Sequence, residues 1–563
     1  MLGMTLWATC ASAELSIDGV KSDVEDVLRG FLSIDDLPCD SPRWWVGRRF
    51  RQAHAEIRQA METLGFYNAQ IESELQWTEA CWLATFSVEK GPRARVRALT
   101  LEVDEPLATE PRFVTARKVE DFGVDDVFTH QAYEGLKDRL LDVAQELGYF
   151  DADFSRHVVT VDAESNSADI DLALAGGARY RIGEIISEQT LLEPELFDKY
   201  LRIEEGAYYD ATDLTDTYKN LLQSGYFSQV IINPLLDLRQ DGEVPLRLAV
   251  APAPRRIIEL GGGYATDTGP RVRGDLSYRR LNDRGHRAGA SALVSRLTKE
   301  LKAQYRLPYG DPIHEWLFTE ASYVDEETDT ADSRAYSLGV GRTKRLGRSW
   351  ITTNYVDYTL EDFDIGEQQS GRSNLLILGT SVSRTSPIDV PRLLKGYSIS
   401  LEVRGATEQL ISDTNFVQFE GRGRTILPLG SRVRLLSRLH LGWTWQSKFE
   451  DLPPSVRFFA GGDNSIRGYG YQDLGPEENG EVVGGRRLLT GSMELDTLLK
   501  ENWSLAVFVD SGSAFDEEPT FNTGVGVGVR WYSPLGPLRL DLAHPLDDPE
   551  RRFRLHVSLG TDL

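Results

Sequence analysis

The chain has 563 residues, with 62 Lys+Arg against 87 Asp+Glu and a formal net charge of −25. A surface that acidic excludes a nucleic-acid partner, because phosphate binding needs a basic face. No apolar run approaches the roughly 18 residues of a membrane-spanning helix, and 50 glycines with 10 % aromatic residues suit many short strands and turns.

The first segment, MLGMTLWATCASAEL, ends in Ala11-Ser12-Ala13 before Glu14. Small residues at alternating positions mark a signal-peptidase site, so residues 1–13 read as the remnant of an export signal whose basic start is missing. An ordinary frayed terminus is the alternative, and lipidation at Cys10 fits poorly beside Trp7 and Thr9. Cys39 and Cys81 then remain. An even count in an exported domain predicts a disulfide, with two buried free thiols as the alternative.

One phrase recurs through the first half: METLGFYNAQI (Met61–Ile71), AQELGYFDADF (Ala144–Phe154) and LLQSGYFSQVI (Leu221–Ile231). Its glycines, Gly65, Gly148 and Gly225, are 83 and 77 residues apart. A period that long is one small domain per repeat rather than a solenoid turn. Each glycine caps a helix, and the aromatics after it turn the chain into a strand. A hairpin of alternating apolar and polar residues follows, such as HVVTVDA with SADIDLALA, so each unit is β-α-α-β-β. The expected domains are 14–91, 92–176 and 177–252.

From about Arg255 the helical periods vanish. About sixteen segments of period 2 follow to the end of the chain, an α+β half giving way to an all-β half over 253–563. In NTGVGVGVRW, Val525, Val527, Val529 and Trp531 alternate with Gly524, Gly526, Gly528 and Arg530. PLRLDLA and FRLHVSL alternate in the same way. Sixteen such strands make an improbably large soluble sheet but a natural transmembrane barrel, since closure pairs every backbone group. Connections of the type LNDRGH, LPYGDP, RLG and PLGS alternate with acidic ones, VDEETDTADS, EDFDIGEQQSG and GATEQLISDT. The expected arrangement is short turns on the side of the N-terminal domains and long loops on the other.

The longest connection holds AGGDNSIRGYGYQDLGP, with Arg467 between Ile466 and Gly468-Tyr469. A loop of that size is functional or disordered. On the next two strands, alternation turns Thr490, Ser492 and Glu494, then Phe508 and Asp510, to the lumen. A loop folded inward brings Arg467 to the carboxylates of Glu494 and Asp510, which suit a guanidinium fork.

The repeats resemble polypeptide-transport-associated (POTRA) domains over about 240 residues. Ile466-Arg467-Gly468-Tyr469 is similar to the sixth-loop signature of the outer-membrane assembly-factor and two-partner-secretion superfamily. FVDSG, which includes Asp510 and Gly512, resembles that family's partner motif on strand thirteen, and GSMEL its Gly-x-x-Glu-Leu on strand twelve. Three POTRA domains resemble most the family's translocation and assembly module branch, TamA. The essential assembly protein usually has five, and the secretion transporters have two behind a plug helix.

The resemblance implies a lateral seam, placed between Ile257, Gly261, Gly262 and Gly263 on the first strand and Leu555, Val557, Leu559 and Gly560 on the last. An unfolded outer-membrane protein client, an autotransporter for example, adds a strand there by β-augmentation, driven by its own folding. The implied partners are such clients, outer-membrane lipid and a TamB-like protein anchored in the inner membrane. A secretion transporter that passes clients through the pore and a passive porin with periplasmic domains are the other readings. An enzyme is not expected: VDSGS has no partner histidine motif, the histidines lack H-x-x-x-H spacing, and Gly261-Gly262-Gly263 lacks the Gly-Lys-Ser/Thr of a phosphate loop. No metal and no cofactor are expected.

Overall fold

A computed structural model describes residues 14–559 except 80, 119–121, 348, 367–368, 387–391, 447, 534–535 and 549–552. The export-signal reading of residues 1–13, and Gly560 of the expected seam, lie outside the described residues.

Three α/β repeats come first. The first runs strand Glu14–Asp18, helices Ser22–Phe31 and Arg43–Thr63, then strands Gln70–Trp77 and Trp82–Glu89. Its last strand lies in the middle of the sheet, parallel to the first and antiparallel to the second. The inward residues of that strand, Trp82, Ala84, Phe86 and Val88, pack on Val46, Ala53 and Ile57 of the long helix, the two periodicities meeting on one apolar face. The second sheet (Arg95–Val103, Asp153–Asp162, Ser167–Ala175) and the third (Arg181–Ser187, Phe227–Pro234, Glu243–Pro252) repeat this order. Gly65, Gly148 and Gly225 all have left-handed φ, +89°, +88° and +71°, the backbone that ends a helix and that a Cβ disfavours.

The chain packs as two compact units. One holds residues 14–187, 203–216 and 232–248; the other holds 188–202, 217–231 and 249–559. Within the second, the turn after the second barrel strand is tied to the third repeat. Tyr226 donates its hydroxyl to the carbonyl of Gly285 at 2.6 Å, and the Glu193 amide donates to the carbonyl of Asp283 at 3.0 Å.

Sixteen antiparallel strands then close into a barrel. Large apolar side chains stand on its outer wall, Leu260 83 % and Met493 60 % exposed among them, as lipid-facing residues must. Tryptophans stand near both ends, Trp443 with Trp445 toward one rim and Trp503 stacked on Trp531 toward the other, where an amphipathic ring suits the membrane interface.

One expectation needs correcting. Two of the three long acidic loops are largely strand, while GATEQLISDT stays a loop between strand nine (Gly396–Ala406) and strand ten (Phe416–Pro428). Strand five runs Glu315–Glu327 and strand six Ala331–Leu346, so only 328–330 separate them, and strands seven and eight reach Ile365 and Gln369. Alternation carries on through the acidic residues, so the ladder outruns the roughly 9–11 residues that cross a bilayer. On the other rim, strands eight and nine are ten residues apart, Thr385 to Gly396, so the split into short turns and long loops is not clean.

The expected seam falls partly outside the described residues. The first strand (Arg256–Ala265) pairs with the second along its whole length. With the sixteenth (Arg554–Leu559) it pairs only through Ala265 and Ser558 among the described residues. That register puts Leu555, Val557 and Leu559 beside the far end of the first strand and its turn. Ile257, Gly261, Gly262 and Gly263 have no described residue of the last strand opposite them. The described part of the last strand is six residues long.

Cys39 and Cys81 are bonded, 42 residues apart. In the chain-entropy model a closed loop of that size contributes about 4 kcal/mol. Replacing both with alanine should make the first repeat of the full chain selectively protease-sensitive while the barrel keeps its heat-modifiable gel mobility. Equal protease resistance with and without the bond would show that it contributes nothing.

Candidate functional site

The connection between strand eleven (Val433–Gln446) and strand twelve (Arg487–Lys500) folds back into the lumen. Ile466 and Tyr469 are buried with Phe458, Ala460, Leu488 and Ala514 in one apolar cluster. Between them Arg467 points the other way, its side chain 5 % exposed.

Arg467 meets Asp510 of strand thirteen (Trp503–Phe515) as a fork. Nε donates to Oδ2 at 2.7 Å and Nη2 to Oδ1 at 2.9 Å, while the Arg467 amide adds a third bond to Oδ2 at 3.1 Å. Nη1 donates to Glu494 at 2.8 Å and to Asp541 of strand fifteen at 3.0 Å. The Phe508 ring lies under the guanidinium, 3.4 Å from its carbon, a stacking that suits arginine's flat delocalised charge. A second arginine, Arg530 of strand fourteen, bridges Glu494 and Asp541. A third, Arg438, stands 3.8 Å from Asp510 and donates to Ser492 at 3.3 Å. Three carboxylates thus face three guanidiniums, and a buried set of charges is tolerable only when balanced in this way.

Strand fourteen (Asn522–Ser533) makes the room. A Cβ at Gly524 would overlap the Arg467 carbonyl oxygen, one at Gly526 the Phe508 ring, and one at Gly528 the Asp541 carboxylate. The glycines that alternate with outward valines are the floor on which loop six rests. At Gly468, φ is +104° and a Cβ would sit 3.1 Å from the Pro545 nitrogen, so this step of the loop takes no side chain without strain.

The structure brings Arg467, Glu494, Phe508 and Asp510 together. Gly512 stands further along, paired with Thr490. Asp541, Arg530 and Arg438 are the members sequence reading missed. For the first two the signal lay in alternation: Asp541 shares its inward side with Arg539 between outward Leu540 and Leu542, and Arg530 lies between Val529 and Trp531.

Residues 264–563 match the Omp85 superfamily domain. The chain belongs to the Omp85 superfamily. Residues 14–90 match the family described as POTRA domain TamA domain 1, and 180–252 a POTRA family described as a surface antigen variable number repeat. The outer membrane protein assembly factor BamA of Nitratidesulfovibrio vulgaris is 23 % identical over 97 % of this chain and 72 % of its own length. The BamA of Neisseria meningitidis is 24 % identical over 71 % of this chain and 59 % of its own length. In structure, BamA from Haemophilus ducreyi lacking POTRA domains 1–3 superposes with a TM-score of 0.71 at 16 % identity. It covers 83 % of this chain and 99 % of that one, a likeness of fold. As in other Omp85 proteins, the barrel lies in the outer membrane and the POTRA domains in the periplasm. Loop six therefore enters the lumen from the cell exterior.

Removing the Arg467 side chain leaves Asp510 without its fork. Arg467→Ala should cost about 3–5 kcal/mol, the range for breaking a buried ion pair, and should make loop six cleavable by external protease in an inserted barrel. Asp510→Asn should be milder, because Glu494 and Asp541 still hold Nη1, and the double variant should be no worse than Arg467→Ala alone. Additive losses would show that the residues do not act as a unit. Gly524→Val should release the same loop with every charge intact; continued protection of loop six in that variant would remove the glycine floor from this account.

Proposed function

We propose that the protein inserts β-barrel clients into the outer membrane through the seam between its first and last strands. One observation carries this reading. From Arg256 to Tyr264 the first strand has a ladder on one side and no described strand on the other. A closure with a single described backbone pair opens with few amides left unpaired in lipid, and an opened strand edge is the template on which another chain's strand adds. The relatives named as assembly factors support the reading. The TamA-type first POTRA domain supports the translocation and assembly module branch, with autotransporters among the clients and a TamB-like inner-membrane-anchored protein as partner. The two other readings gain no such support. A passive porin needs an open lumen, and transport through the pore needs loop six to leave a buried six-charge network.

The register chooses the test. Ala265→Cys with Ser558→Cys should form a bond on oxidation and stop client insertion, with recovery on reduction. Insertion at the wild-type rate through the bonded seam would sink the reading and leave the pore route. Deleting residues 14–90 should leave the barrel inserted and abolish co-purification of the TamB-like partner; retained co-purification would remove that partner from the first POTRA domain.

A further inference from the structure

One cluster of titratable groups takes no part in the Arg467 network. Three places far apart in the chain meet there: Asp267 in the turn after the first strand, Asp463 in loop six, and His556 on the last strand. Ligand-type atoms of all three lie within 4.8 Å of one another. The His556 side chain is 2 % exposed and that of Asp463 9 %.

His556 holds loop six at two points. Its Nε2 accepts the amide proton of Gly468 at 2.9 Å, and its Nδ1 lies against Asp463 Oδ1. These bonds assign the tautomer, since a nitrogen that accepts an amide proton carries none of its own. The ring proton is therefore on Nδ1 and is donated to Asp463. Asp463 in turn donates its amide to Asp267 Oδ2, and Asp267 Oδ1 accepts from Arg554 of the last strand at 3.3 Å. Beside them Val557 donates its amide to Thr266 Oγ1 at 2.9 Å, and the Thr266 amide donates to the Val557 carbonyl at 3.2 Å.

The same assignment argues against a metal ion in the cluster. A metal needs Nδ1 unprotonated, and a ligating histidine donates from its other nitrogen. Here that other nitrogen faces a donor.

We propose that His556 is a positioning residue that couples the seam to loop six: its bonds to Gly468 and Asp463 make closure at Ala265 and Ser558 depend on where loop six sits. The proposal rests on the seam reading above and deepens it. Among the described residues the backbone closure is one residue pair, Ala265 with Ser558, with the Thr266–Val557 exchange beside it. The other described links around it pass through Asp463, Asp267 and Arg554, or reach the carbonyl of Leu559 from Arg271 at 3.1 Å. Withdrawing loop six takes away both partners of His556 and the amide that holds Asp267. In the other direction, a client strand that displaces the last strand pulls His556 from Gly468, the residue next to Arg467. Entry of a client is then felt at the loop-six anchor without contact between client and loop.

Oxidation of the Ala265→Cys/Ser558→Cys pair in outer membranes reads closure with no client present. Adding His556→Phe, which keeps a ring and removes both bonds, should lower the closed-to-open ratio roughly tenfold, the factor a lost charge-assisted hydrogen bond is worth. His556→Gln, whose side-chain oxygen can still accept from Gly468, should restore part of it. Arg467→Ala should open the seam as far as His556→Phe does, and the two together no further. If His556→Phe fails to give a heat-modifiable barrel, Asp463→Ala asks the same question from the loop and should lower the ratio likewise. Unchanged crosslinking in whichever of these variants folds would overturn the coupling. So would a wild-type seam that opens with EDTA or tightens with zinc, since either would place a metal where the tautomer excludes one. A seam that opens as expected while its bonded form still inserts clients would refute the proposed function and leave the coupling standing.

Discussion

A guanidinium 5 % exposed inside a protein wall has no water to share its charge with, so its counter-charges must be built around it. In this barrel they come from three strands: Glu494 from the twelfth, Asp510 from the thirteenth and Asp541 from the fifteenth. Because two of the carboxylates are shared with Arg530, no member leaves without stranding another. That one set of charges ties loop six, which carries Arg467, to strands twelve, thirteen and fifteen, which carry its partners.

The described parts of the barrel wall are not all held together in the same way. Strands twelve to fifteen are joined by full ladders and by the ion network. On the far side of the sixteenth strand one backbone pair is formed among the described residues, with side-chain bonds around it. Side-chain bonds can be exchanged singly, whereas a long ladder opens at the cost of many unpaired amides in lipid. The loop that the ion network holds in place also reaches the short closure, through Asp463 and Gly468.

Much of this was legible in the chain. Alternation of period 2 separates the lumenal Glu494, Phe508 and Asp510 from the outward Met493, Val507 and Val509, because successive side chains in a strand must point to opposite faces. The recurring Gly-aromatic-aromatic marks three helix ends, since a left-handed turn tolerates little else. The same rule already pointed Arg530 and Asp541 inward, although nothing local says which inward charges meet. Loop boundaries were less legible. The acidic stretches near Glu327 and Ile365 look like loops by composition, yet they continue their strands, because hydrogen bonding across a hairpin is indifferent to side-chain charge.

The sequence by itself determined the order of domains, the faces of the strands and the oddity of one arginine among small residues, because these depend on near neighbours along the chain. Tertiary structure alone decided the register at which the first strand meets the last, and the meeting of Asp267, Asp463 and His556. Register across a closure depends on strand tilt and on the lengths of all the strands between, a sum over the whole barrel that no local pattern carries.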